Sequence, residues 1–100
     1  MEIVCKFVCL LDKREGESKE GNPWVRQNML VQSMDGNDRK MAITAFGERR
    51  VAKMAEFRNG DVLKLNFGIE SRPNAAGDKW FTELQFIDAE RLRYEQPPQK

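Results

Sequence analysis

Ala45-Phe46-Gly47-Glu48-Arg49-Arg50-Val51-Ala52-Lys53-Met54-Ala55-Glu56-Phe57-Arg58-Asn59-Gly60-Asp61 is the stretch where the period of the chain changes. Before Gly47 apolar residues alternate as in a strand. After it Val51, Met54 and Phe57 recur at helical spacing among Glu48, Arg49, Arg50, Lys53 and Glu56, which predicts an amphipathic helix of about ten residues. Asn59-Gly60-Asp61 supplies its stop. A short helix is therefore inserted into a chain whose remainder reads as strands.

Outward from that point, Arg39 to Phe46 reads as the third strand, with Met41, Ile43 and Ala45 inward and Lys40, Ala42, Thr44 and Phe46 outward. Met34-Asp35-Gly36-Asn37-Asp38 carries hairpin-turn chemistry. It joins the third strand to a second, Trp24 to Ser33, with Val25, Gln27, Met29 and Val31 on one parity and Trp24, Arg26, Asn28, Leu30 and Gln32 on the other. The first eleven residues form the first strand. Ile3, Cys5, Phe7, Cys9 and Leu11 share a parity, and the apolar Val4 and Val8 opposite them suggest two-sided burial or a bulge near Val8. Asp12 to Asn22, with two glycines and no apolar residue, reads as a mobile loop.

Beyond the helix, Leu63, Leu65, Phe67 and Ile69 alternate with Lys64, Asn66, Gly68 and Glu70 in a fourth strand with one wet face. Arg72 to Asp78 is a Pro/Asn/Gly loop. Lys79 to Leu92 is the fifth strand, with Trp80, Thr82, Leu84 and Phe86 on one parity, which puts Trp80 on the core side. Residues 1–93 thus make one domain, and 94–100, with Pro97-Pro98, a flexible C-terminal tail. Five strands with one short helix between strands 3 and 4 are the element order of the OB-fold, an all-β, five-stranded, partly open Greek-key barrel. A generic β-sandwich is the competing architecture.

Composition narrows the chemistry. One hundred residues suit a single domain, and the chain has no histidine, so the commonest general base and metal ligand are missing. None of Ser18, Ser33 and Ser71 can have a histidine partner, and no phosphate-cradling glycine loop or dinucleotide fingerprint occurs. Cys5 and Cys9 stand roughly 13 Å apart in an extended strand, too far for a bridge, and read as reduced core thiols. Two cysteines without histidine cannot complete a usual zinc set. We expect no enzyme activity, no metal and no cofactor. No apolar run approaches the roughly 20 residues that cross a bilayer, and the amino terminus lacks signal-peptide order, so no membrane partner and a cytoplasmic location are expected. The 17 Lys and Arg against 16 Asp and Glu give a net charge of +1, which by itself supplies no electrostatic argument for a nucleic-acid partner. Placement has to carry that argument.

Several segments resemble an uncharacterised OB-fold family of bacteria and their phages that is similar to single-stranded DNA-binding proteins. They are Trp24-Val25-Arg26-Gln27, Ala45-Phe46-Gly47, Gly60-Asp61-Val62, Phe67-Gly68-Ile69-Glu70-Ser71-Arg72 and Lys79-Trp80-Phe81-Thr82-Glu83-Leu84. The likeness spans nearly residues 1–92. It implies a nucleic-acid-binding module and, as in related proteins, a homo-oligomer. Two departures stand out: Cys5 replaces a glycine usual in that family's first strand, and the chain ends Glu95-Gln96-Pro97-Pro98-Gln99-Lys100 rather than in an acidic, phenylalanine-tipped tail.

Sequence-tolerant binding of a single strand needs aromatic planes for the bases and cations for the phosphates. The outward parity of strands 2 and 3 offers Trp24, Arg26, Asn28, Lys40, Thr44 and Phe46. Arg72, Lys79, Trp80 and Phe81 frame the loop between strands 4 and 5. The expected site is Trp24, Arg26, Asn28, Lys40, Phe46, Arg72, Lys79, Trp80 and Phe81, stacking bases on Trp24, Phe46 and Phe81 and contacting phosphates through Arg26, Lys40, Arg72 and Lys79. The expected ligand is single-stranded DNA coated during replication or recombination, with RNA an alternative because stacking does not distinguish the sugars. The same exposed aromatics also suit a protein interface, and the near-neutral charge favours that second reading.

Overall fold

A computed structural model describes residues 1–34, 36 and 39–96. The elements run β1 (Glu2–Glu17), β2 (Pro23–Ser33), β3 (Lys40–Phe46), α1 (Glu48–Met54), β4 (Asp61–Pro73) and β5 (Trp80–Tyr94). The strands close into a barrel in the order β1-β2-β3-β5-β4, with α1 between β3 and β4. This is the OB architecture that the element order predicts. All neighbours are antiparallel except β3 and β5, which run parallel and pair at Ile43 with Leu84 and at Thr44 with Gln85.

The core is the inward parity of each strand sealed by one face of the helix. Cys5, Phe7, Met29, Val31, Ile43, Ala45, Leu63, Leu65, Phe67, Phe86 and Ala89 are buried together with Val51, Met54 and Phe57. The helix is shorter than expected. It ends at Met54, and Phe57 reaches the core from the following turn, its ring 6.1 Å from that of Phe7. Asp61, fully buried, fastens this turn: it accepts the Arg58 backbone N–H at 2.9 Å and pairs with Arg91 at 3.1 Å. Arg58 stacks over the Tyr94 ring at 4.1 Å.

β1 carries the expected bulge. Pairing with β2 shifts between Phe7 and Cys9, and again between Leu10 and Lys13. One extra residue exchanges the faces of a strand, so Cys5 is buried whereas Cys9 is an exposed thiol rather than a core one. Leu11, expected on the core side, is 40 % exposed for the same reason. The stretch read as a mobile loop is mostly strand. β1 continues to Glu17 because Lys13 to Glu17 pair with Gln27 to Pro23, and only the tight turn through Ser18 and Asn22 separates the two strands.

The β4–β5 hairpin is likewise longer than its loop suggested, with pairing out to Pro73 and Trp80. Inward parity past Phe67 therefore meets no core, and Ile69 and Trp80 are 53 % and 65 % exposed despite their alternation. β5 extends past the expected Leu92 to Tyr94, and the Glu95 N–H donates to the Gly60 carbonyl. In the expected turn at Met34 to Asp38, residues 35, 37 and 38 lie outside the described residues, as do 97–100 of the expected tail. The strands on either side of that turn pair as a hairpin, Gln32 with Lys40 through Arg26 with Phe46.

Candidate nucleic-acid interface

Two long arms leave the barrel, and both carry aromatic rings. On the β1–β2 arm Trp24 pairs with Gly16, and a Cβ on Gly16 would lie 2.7 Å from Trp24 Cζ2. The indole thus lies across the bare glycine backbone, half exposed. Phe46, at the end of β3, registers with Arg26 of β2, and the guanidinium carbon stands 5.1 Å from the ring centroid. That cation–π contact holds the ring on the outer surface, 40 % exposed, rather than against the helix.

On the β4–β5 arm, Arg72 faces Phe81, Glu70 faces Glu83 and Gly68 faces Gln85, so these residues share one side. Pro73 with Trp80, Ser71 with Thr82 and Ile69 with Leu84 form the other. Phe81, 63 % exposed, and Trp80 therefore point to opposite sides of the arm. Trp80 is one of the exposed rings, so its expected place on the core side does not hold.

The cations fall into two groups. Arg26 Nη2 lies 3.5 Å from Glu83 Oε1, tying the β4–β5 arm to β2, and Arg72 Nε donates to Glu70 Oε1 at 2.8 Å. The Arg72 hydrogen bond holds the Glu70 carboxyl below its ordinary range, with Gln85 contributing, and raises Arg72 in return. Lys40 and Lys79 are exposed and have no ion pair among the described residues. Lys40 opens β3 and Lys79 immediately precedes β5; the two strands are parallel neighbours, so both lysines stand toward the same end of the barrel as the tip of the β4–β5 arm.

Asn28 is neither a free donor nor a free acceptor. Its amide donates to Asp12 Oδ1 at 3.1 Å and accepts the Thr44 hydroxyl at 2.7 Å. Asp12 is lowered by that amide first. Thr44 registers with Gln85, which donates to Glu70, which in turn accepts from Arg72. A polar ladder thereby crosses the outer face of all five strands. Sequence reading missed its acidic members Asp12 and Glu70, and Glu83 beside it, although the signal was present: Glu70 shares the parity of Arg72, and Glu83 that of Phe81.

Among the described residues no group of three His, Cys, Asp or Glu stands close enough to hold a metal ion, and no helix is long and apolar enough to cross a membrane. Burial pushes the Cys5 thiol up to about 11, which makes it a poor nucleophile.

Residues 2–89 match the family described as a domain of unknown function, DUF3127. The chain belongs to that family. Among solved structures it is similar to the mitochondrial single-stranded DNA-binding protein Rim1 of S. cerevisiae, at 18 % identity over 94 % of this chain and 95 % of that one, with a TM-score of 0.63. A second crystal form of Rim1 gives 19 % identity over 96 % and 95 % of the two chains, TM-score 0.59. The second OB-fold domain of replication protein A from Methanococcus maripaludis gives 14 % over 96 % and 86 %, TM-score 0.57. At these identities the likeness is one of fold. No curated protein matches the chain.

Proposed function

We propose that this DUF3127 domain binds single-stranded DNA with little base preference. The observation that carries the reading is that Trp24, Phe46, Trp80 and Phe81 stand 42 %, 40 %, 65 % and 63 % exposed on the strands of an OB barrel. Exposed rings on strand faces are the stacking platforms that sequence-tolerant binding requires, and Lys40 and Lys79, with no ion pair among the described residues, are cations for phosphates. Arg26 and Arg72 take part only by exchanging Glu83 and Glu70 for phosphate oxygens.

The test is a titration of labelled oligothymidine at low and high salt. Two platforms at about 1–3 kcal/mol each make Trp24→Ala with Phe46→Ala at least about thirtyfold weaker than the parent. Undiminished binding in the double variant removes the site. RNA oligomers of the same sequence, run in competition, decide the sugar preference, since the ladder contains no group dedicated to a 2′-hydroxyl.

A role in coating strands during replication or recombination and a cytoplasmic location belong to the same reading, as does a single domain that closes with the end of β5. So does self-association. β1 leaves Val4, Leu10 and Leu11 exposed, and these supply the apolar surface for a homo-oligomer, which sedimentation equilibrium tests directly.

A further inference from the structure

On the other side of the β1–β2 arm the chain forms a second concave surface, of which the strand-binding reading uses only Trp24 at its edge. Register places Lys13, Glu15 and Glu17 opposite Gln27, Val25 and Pro23, with Gln27 buried, so this parity is the arm's inner side. Between it and α1 lies a groove of about 830 Å³. That is within the roughly 300–1,000 Å³ of ligand clefts. Its apolar lining is Pro23, Trp24 and Val25 from the arm and Val51, Ala52 and Ala55 from the helix. Gly47, at φ 92°, turns the chain from β3 into α1 and adds no side chain, which keeps the groove open.

Charge decides what fits. Glu15, Glu17 and Glu48 line the groove against the single cation Lys13, which Glu15 already holds at 3.1 Å. Glu17 and Glu48 have no partner among the described residues and flank the groove from the arm and from the helix. A polyanion is repelled there. A segment that inserts bulky apolar side chains between two walls and places cations at both rims satisfies every group.

We propose that the groove between the β1–β2 arm and α1 docks a peptide segment of a partner protein, apolar at its centre and flanked by lysine or arginine. The groove meets the stacking face at Trp24, so a bound segment and a DNA strand share that ring while Phe46 and the β4–β5 arm stay free.

Fluorescence anisotropy with a labelled peptide carrying Leu-Leu-Phe between lysines tests this, with a glutamate-flanked peptide as its counterpart. Saturable binding of the first and not of the second is expected. Ala52→Arg, a good helix former at an exposed position, fills the groove and lowers its negative charge, and weakens the peptide about tenfold. Glu17→Lys weakens it about two- to fivefold at low salt. Circular dichroism confirms that both variants fold. Equal binding of the two peptides, or variants that bind as the parent does, overturns the proposal. Displacement of the peptide by oligothymidine that persists in Trp24→Ala makes the groove part of a strand path and overturns it too. Self-association that Ala52→Arg abolishes assigns the groove to a second copy and likewise overturns it. The peptide readout is independent of whether the outer face binds nucleic acid.

Discussion

Glu83→Gln isolates the electrostatic cost of the strand-binding face. In the free protein Arg26 faces Glu83 at 3.5 Å, with side chains 34 % and 29 % exposed, so the pair is partly screened. Arg26 Nε and Glu83 Oε1 are shielded from solvent and make no hydrogen bond, which marks a contact of poor geometry. A pair of that exposure contributes about 0.2–1 kcal/mol, the amount a phosphate must overcome to take Arg26. Removing the carboxylate charge while keeping its shape therefore tightens oligothymidine binding about 1.4- to 5-fold at low salt. In the parent the released Glu83 takes up a cation as Arg26 meets a phosphate; without the carboxylate that uptake is gone, which steepens the slope of log K against log salt by about 0.7. Between about 50 and 200 mM salt the variant then loses about 2.6-fold more affinity than the parent. Anisotropy titrations across a salt series measure both quantities. If Glu83→Gln changes neither affinity nor slope, and Arg26→Gln is equally silent, Arg26 lies off the path of the strand and the reasoning fails.

Three further outcomes follow from the geometry. Asp61→Ala removes a fully buried acceptor of the Arg58 N–H and the partner of Arg91, and should cost about 1.5–3 kcal/mol in chemical denaturation, with the freed arginines reaching solvent. Cys9 should react with a thiol reagent in the native protein while Cys5, raised to about 11 by burial, has about a hundredth of the ordinary thiolate and reacts only on unfolding, so native and denatured titrations should differ by one thiol. Glu70 is depressed in the folded state, chiefly by the Arg72 hydrogen bond, so its contribution is present above the ordinary glutamate value of about 4.3 and is lost as pH falls through the folded value. The stability difference between the parent and Glu70→Gln should accordingly close in acid, and a difference that persists there would contradict the assignment.

The order of elements was legible because period two and period 3.6 separate cleanly at Gly47, and because parity through Met29, Val31, Ile43, Ala45, Leu63 and Leu65 matches the core they form. The β1 bulge was legible from apolar residues on both faces around Val8. What parity could not convey is where a sheet runs beyond its core. Ile69 and Trp80 alternate as core residues do, yet they stand on an arm with nothing beneath it. Likewise Asp12 to Glu17 lacks apolar residues because the strand there projects from the barrel. Arg26 looked like a free cation since its chain distance to Glu83 hides a contact that only closure of the barrel creates, whereas the partner of Arg72, Glu70, stood two residues away on the same parity. The rings were easier to find than their electrostatic surroundings: an aromatic on the wet parity is visible locally, whereas its neighbours are set by register between distant strands.

The seam between β3 and β5 is closed by two registered pairs, whereas β4 and β5 share thirteen. A sheet stitched so briefly along one line has a preferred place to part, and parting there bares two strand edges at once. Amide exchange should be quickest at Ile43, Thr44, Leu84 and Gln85 for buried positions of their kind, and crowded molecules that breathe along this line would present those edges to one another as templates for strand exchange.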